Sequence, residues 1–173
     1  MHKKSSHHQI ALITINFTHT HTPKRAYIEY ASLKDGSVTG VCVTREQMLA
    51  HCQTLHAACQ YGEGEHLVCL LDYKREFGLW HGIQSALFNG MHTIYVPYAV
   101  MKVNPSIWLT AVTKFRATVA LVKSRDMHWG LMGQRDHKDI NLSSLRLLVV
   151  ADGANPWSLS SCDTFLDVFQ TKG

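Results

Sequence analysis

The sequence holds little of what would narrow its function at once. Only 17% of its 173 positions are charged and only four are proline. No apolar run approaches the ~20 residues that a membrane-crossing helix needs. The longest, Ile10–Ile15 and Leu67–Leu71, are strand-sized. The five cysteines, at 42, 52, 59, 69 and 162, are odd in number and show no C-x-x-C pair. A disulfide framework or a zinc ribbon is thereby set aside. Buried, reduced thiols in an intracellular, chiefly cytoplasmic setting are expected instead. The phosphate-binding loops G-x-G-x-x-G and G-x-x-x-x-G-K-[ST], the G-x-S-x-G elbow and the zinc helix H-E-x-x-H do not occur, which removes four enzyme classes. His51 and His56 are five apart and do not share a helix face, so no metal site is expected. Seventeen basic and thirteen acidic residues leave a scattered +4. A dedicated nucleic-acid binder would carry a basic stripe.

What is present reads as a folded globular chain of one-domain length, with 46% hydrophobic residues. Residues 1–22 stand apart. They hold five of the twelve histidines, and their apolar core is too short for a secretory signal. A poorly ordered His/Thr-rich leader is expected, in which the Asn16-Phe17-Thr18 sequon stays unmodified.

From Pro23 the pattern becomes regular. Ala26–Ala31 and Val41–Val43 are strand-like and flank Asp35-Gly36, a strong hairpin signal. Thr44 with Gln47 fits a capping box. It opens a helix with Met48, Cys52, Leu55 and Cys59 on one face and Gly62 at its end. Leu67–Leu71 reads as a strand buried on both sides. A helix is expected over Leu79–Asn89, with Trp80, Ile83 and Leu87 as its stripe and Gly90 as its stop. A strand follows at Thr93–Val96. Asn104-Pro105 starts another helix, with Trp108, Ala111, Val112 and Phe115 inward. Thr118–Val122 is a strand, Ser124 caps a short helix, Leu147–Ala151 is a strand, and Ser160–Gln170 is a last helix. Such alternation predicts an α/β fold, a largely parallel sheet with flanking helices. Ligands in such sheets sit beyond the carboxyl ends of the strands, which draws attention to residues 32–40, 72–78, 97–104 and 152–157.

Each candidate also has a plain structural reading. Residues 32–40, with Ser32, Lys34, Gly36, Ser37, Thr39 and Gly40, form either a hairpin turn or a phosphate cradle of small residues and hydroxyls. The charged burst from Asp72 to Glu76 is either a solvated connection or a ligand-side loop. Asp152-Gly153-Ala154-Asn155-Pro156 is either an Asx-type turn or a close approach to a ring, with the Asn155 amide reading a base edge.

Several stretches taken together carry a family resemblance. They are Gly78-Leu-Trp-His-Gly82, Met101-Lys-Val-Asn-Pro105, 122–129 (VKSRDMHW), 141–146 (NLSSLR) and, most specific, 149–158 (VVADGANPWS). From about Pro23 to Gly173 the chain resembles the disco-interacting protein 2 family. That family's repeated domains are similar to fatty-acyl-AMP ligases of the adenylate-forming superfamily, which includes acyl-CoA synthetases. The resemblance implies a partial N-terminal subdomain of that fold over residues 23–173. It also implies ATP/AMP and Mg²⁺ as cofactors, a fatty acid or other carboxylate as substrate, and coenzyme A among the acceptors. Protein partners fit as well, and nucleic acid does not.

Residue by residue, the superfamily's phosphate loop falls on Ala31–Gly40, with Val38 and Thr39 where a proline and a lysine are usual. Its His-Asp-Met-Gly-Leu segment falls on Arg75–Leu79, so that Arg75, Gly78, Trp80 and Gly82 become acyl-pocket candidates. The resemblance leaves Glu76 free to neutralise Arg75. The superfamily's adenine turn falls on Gly153–Pro156, beside Asp152. No catalytic residue or metal ligand is assigned. The superfamily's magnesium carboxylate, ribose aspartate and lid lysine would all come later than Gly173. The resemblance therefore implies acyl activation only by a longer protein, or alternatively a degenerate module that binds lipid or protein.

Overall fold

The structure is a computed structural model that describes residues 24–133, 139–153 and 156–170. The His/Thr-rich leader lies outside them. The Asp-Gly turn closes a hairpin of β1 (Arg25–Ser32) and β2 (Val38–Thr44), paired antiparallel from Ser32↔Val38 upward. Gly36 takes φ +83° there, a region that favours glycine, and its amide donates to the Leu33 carbonyl at 3.0 Å. Thr44 then caps α1 (Arg45–Cys59) with both capping-box bonds. The Gln47 amide donates to Thr44 Oγ1 at 3.1 Å, and the Thr44 amide donates to Gln47 Oε1 at 2.9 Å. The helix ends at Gln60 in the left-handed region, not at Gly62. Gly62 instead gives its amide to Glu65 Oε2 at 2.8 Å.

Four short strands form the main sheet: β3 (His66–Cys69), β4 (His92–Tyr95), β5 (Val119–Val122) and β6 (Leu147–Val150). All pairs are parallel, in the order β4-β3-β5-β6. Alternate residues face opposite sides, as a strand's period of two requires. Val68, Ala120 and Val122 join one core cluster with Trp108, Leu109, Val112, Met127 and Phe165. Leu67, Cys69, Val119 and Leu121 join another with Tyr61, and Leu55 and Cys59 of α1 pack against it. Both faces are covered, which explains why β3 and β5 read as unbroken apolar runs.

The segment after β3 departs from expectation. It consists of α2 (Glu76–Leu79), a π-helical turn (Trp80–Ser85) and α3 (Ala86–Phe88). The buried positions are Gly78, His81, Gly82, Ser85 and Ala86. Leu87, expected inward, is 78% exposed. A five-residue turn advances the register by one position, so a stripe counted at α-helical spacing drifts off the buried face. Small residues let this segment lie close to the sheet. A Cβ on Gly82 would stand 3.2 Å from Tyr95 Oη and 3.3 Å from Cys69 Sγ.

Beyond β4, an unanticipated short α4 (Tyr98–Val103) precedes α5 (Ile107–Phe115). Asn104 Oδ1 accepts from the Ser106 amide and hydroxyl at 3.2 and 2.8 Å, just ahead of α5. Leu109 is buried there, whereas Phe115, expected inward, is 38% exposed. α6 (Ser124–Met132) follows β5. α7 (Pro156–Gln170) follows β6 and begins four residues earlier than the sequence pattern suggests.

Candidate functional site

Strand order locates a crevice. The chain leaves β3 toward β4 on one side, and it leaves β5 toward β6 on the other. Adjacent parallel strands whose outgoing connections diverge leave a hollow at their carboxyl ends. Here the segments following Cys69 and Val122 flank it, and the turn after β6 stands next along the same edge. Of the four segments singled out in the sequence, 72–78 and 152–153 open on this edge beside β3 and β6, and 97–104 follows β4. Residues 32–40 do not belong to it by topology. They form the turn of a separate two-stranded sheet, which packs chiefly against α1.

After β3, Asp72 organises the loop. Its Oδ1 accepts from the Lys74 amide at 3.0 Å, and its Oδ2 accepts from Arg75 Nε at 3.1 Å. The Lys74 amide first, and then Arg75, hold the Asp72 carboxyl below its ordinary range. Arg75 is thus paired with Asp72 rather than with Glu76. Its side chain remains 72% exposed and can still meet a ligand anion. Glu76 sits at φ +46°, a left-handed conformation uncommon for a residue with a side chain. Gly78 is fixed sterically. A Cβ there would lie 2.1 Å from the Asp72 carbonyl oxygen. Trp80 points toward the hairpin. It meets His51 edge-on at 5.2 Å, and with Met48, Val41 and Cys42 it lines an open hollow of about 300 Å³ between hairpin and helices.

After β6, Asp152 turns toward α6. Both its carboxylate oxygens accept from the Ser124 amide, at 3.0 and 3.2 Å, and Oδ2 also accepts from the Ser124 hydroxyl. Burial pushes the Asp152 carboxyl up, but the Ser124 hydrogen bonds outweigh it and the net direction is down. Gly153 follows at φ +79°, and a Cβ placed on it would have nothing within 4 Å. Ala154 and Asn155 lie outside the described residues. Pro156 opens α7.

The hairpin turn is self-contained. The Ser37 amide and hydroxyl both donate to Asp35 Oδ1, at 2.9 and 2.6 Å. The hydroxyl bond above all lowers the Asp35 carboxyl. Ser32, Lys34, Gly36, Ser37, Thr39 and Gly40 are all exposed. A phosphate arriving at this turn would meet a carboxylate already holding the Ser37 donors.

Three groupings escaped the sequence reading. On the crevice edge, Arg125 lies over the rings of Trp129 and Tyr98, at 5.0 and 5.3 Å, with Lys102 on Tyr98 at 5.2 Å. Under the π-helical turn, the Tyr61 hydroxyl and His81 Nδ1 share a buried hydrogen bond of 2.6 Å. Burial first, and then nearby His51, lowers His81 to about 4. At the opposite edge of the sheet, Glu65 and Arg146 form a two-pronged ion pair with both bonds at 2.6 Å. Tyr61–His81 and Glu65–Arg146 have no fixed spacing in the sequence, whereas Arg125–Trp129 and Tyr98–Lys102 are i,i+4 pairs within α6 and α4, a spacing that could have pointed to them.

Comparison with known proteins decides the family. The family model for AMP-binding enzymes matches residues 20–172. The chain belongs to the AMP-binding enzyme family. It is 64% identical over 148 residues to disco-interacting protein 2 of Drosophila melanogaster, covering 86% of this chain and 8% of that protein. The human disco-interacting protein 2 homolog A is 56% identical over 148 residues, covering 86% and 9%. The chain therefore spans about a tenth of the length of these curated relatives. A fatty acyl-adenylate ligase from L. pneumophila, solved with acyl adenylate and pyrophosphate, superposes with a TM-score of 0.71 at 18% identity, over 83% of this chain and 25% of that one. At that identity the likeness establishes the fold of an adenylate-forming ligase domain. The parallel sheet with flanking helices expected from the sequence is the fold found.

Proposed function

We propose that this chain supplies the nucleotide-facing part of an adenylate-forming domain, which in the whole protein joins ATP to a fatty acid or another carboxylate. In that reaction a carboxylate oxygen bonds to the α-phosphorus of ATP, pyrophosphate leaves, and an acyl adenylate results. Coenzyme A is a suitable acceptor for the acyl group. One observation carries the reading: the loops after β3 and β6 open on the same carboxyl edge of a parallel sheet, beside the point where strand order diverges. The L. pneumophila relative of this fold binds acyl adenylate and pyrophosphate. The resemblance that sets Gly153 beside adenine and Arg75 at the acyl entrance is compatible with that edge. Unpaired cysteines suit an intracellular, cytoplasmic protein.

Among the described residues no group of three histidines, cysteines or carboxylates could hold Mg²⁺. Asp72 and Asp152 on the edge already have partners.

The test is ATP–pyrophosphate exchange with a panel of fatty acids, run on the whole protein, together with AMP binding by the 173-residue chain. Exchange that depends on the acid supports the reading. Its absence across chain lengths, with no AMP binding, refutes it. A second reading has one observation of its own, the Asp35 carboxylate holding the Ser37 donors. On that reading the module keeps the fold to bind lipid or protein without turnover. Replacing Val38 by proline and Thr39 by lysine separates the two, because a gain in ATP affinity contradicts a degenerate module.

A further inference from the structure

Asp152 has the position of a ligand-reading carboxylate, yet its bonds point the other way. Both oxygens are engaged by Ser124, a wholly buried residue that begins α6 at the end of β5. Ser124 in turn accepts, at 3.2 Å, a hydrogen bond from the hydroxyl of Ser158, itself 2% exposed. The two sides of the turn after β6, at 152 and at 158, are thus tied to one hydroxyl on the neighbouring strand's connection. Gly153, next to Asp152, has open space where a Cβ would stand. The Asp152 carboxylate is turned to buried Ser124, and Gly153 beside it is exposed.

We infer that Ser124 is a positioning residue for nucleotide binding: through Asp152 and Ser158 it fixes the turn at Gly153, and Asp152 acts as the anchor of that turn and does not contact the ligand. The inference rests on the nucleotide reading above for its ligand and on these four hydrogen bonds alone for its mechanics. A charge-assisted hydrogen bond that is buried on one side is strong enough for its loss to release the segment it holds. Because the three residues act as a unit, removing one member should cost nearly as much as removing two.

The experiment uses the 173-residue chain and AMP as the probe. Ser124→Ala and Asp152→Ala are each expected to weaken AMP binding about tenfold, and the double variant to be no weaker than either single one. Asp152→Asn keeps an oxygen for the Ser124 donors and should retain most of the affinity. Hydrogen exchange in the ligand-free protein gives a second readout. The two alanine variants should speed exchange at residues 151–153 and 157–158 and leave β3 and α1 as slow as in the parent. Losses that multiply in the double variant would overturn the inference. So would an Asp152→Asn variant as weak as Asp152→Ala, since an oxygen still held by the Ser124 donors would then fail to preserve binding. If the parent binds no AMP, the nucleotide reading falls. The exchange pattern then still decides whether the anchor exists, and unchanged exchange in both alanine variants would refute it.

Discussion

Replacing Glu65 by glutamine should separate the acid stability of the fold from that of the site. Glu65 stands just before β3, where its Oε1 and Oε2 accept from Arg146 at 2.6 Å each. Oε1 also accepts from the Thr118 hydroxyl at 2.8 Å, and Oε2 from the Gly62 amide at 2.8 Å. Arg146 continues to the Cys59 and Gln60 carbonyls at 3.0 and 2.9 Å. One ion pair therefore joins the end of α1 to the starts of β3, β5 and β6. The Arg146 hydrogen bonds lower the Glu65 carboxyl from 4.5 to about 2, which corresponds to about 3 kcal/mol before screening. Arg146 is 38% exposed, so solvent reduces the usable part to about 1–2 kcal/mol.

The sign follows from the direction of the shift. A carboxyl held lower in the folded state stabilises fully above its unfolded value of 4.5, and that contribution is lost as pH falls toward 2. Glu65→Gln should lower the urea midpoint at pH 7 and change it much less at pH 3. A variant as stable as the parent at pH 7, or a deficit of the same size at pH 3, would refute the ion-pair account.

Other substitutions test the packing. Gly78→Ala should destabilise by about 3 kcal/mol or more, because its Cβ would meet the Asp72 carbonyl at 2.1 Å, and thermal unfolding measures the loss. His81 is lowered from 6.5 to about 4 by burial, so its neutral-state stabilisation is complete above pH 6.5 and declines as pH falls toward 4. His81→Phe should remove that part of the acid sensitivity, a window above the one governed by Glu65. Cys42 is exposed, whereas Cys52 and Cys69 are buried with thiols pushed up, Cys69 to about 11. A thiol reagent at pH 7.5 should label Cys42 well before those two, and equal rates would contradict their burial.

The fold was legible where local chemistry decides it. Asp35-Gly36 specifies a tight turn through a glycine that tolerates positive φ. Thr44 and Gln47 specify a helix start through two reciprocal hydrogen bonds, and β3 and β5 show their two-sided burial as unbroken apolar runs. Legibility failed where packing overrides spacing. The π-helical turn at Trp80–Ser85 puts His81 and Ser85 inward and Leu87 outward, an inversion that no count at 3.6 residues per turn can foresee. Gln60 ends α1 although Gly62 is the better C-terminal signal, because the Gly62 amide is taken by Glu65, a side chain held by tertiary contacts.

The site was legible by segment and opaque by partner, and the difference has a physical cause. A loop's place after a strand follows from chain order, so residues 72–78 and 152–157 could be singled out before strand order was known. Which loops share a crevice depends on the order β4-β3-β5-β6, which periodicity does not encode. That order sets the segment starting at Lys123 on the crevice edge, although the sequence marked residues 122–129 only as a stretch of family resemblance and not as a ligand-side loop. It also changes what the named residues do. Asp152 drew attention as a carboxylate at a ligand edge, and the same edge supplies Ser124 to engage it. Ser37 drew attention as a hydroxyl in a small-residue loop, and Asp35 two residues earlier takes its donors. In both cases a polar group whose position suggests a ligand is already satisfied within the fold. The Arg75 guanidinium and Gly153 remain exposed, and on the proposed reading, with Arg75 at the acyl entrance and Gly153 beside adenine, substitutions there should alter acid dependence and AMP binding respectively.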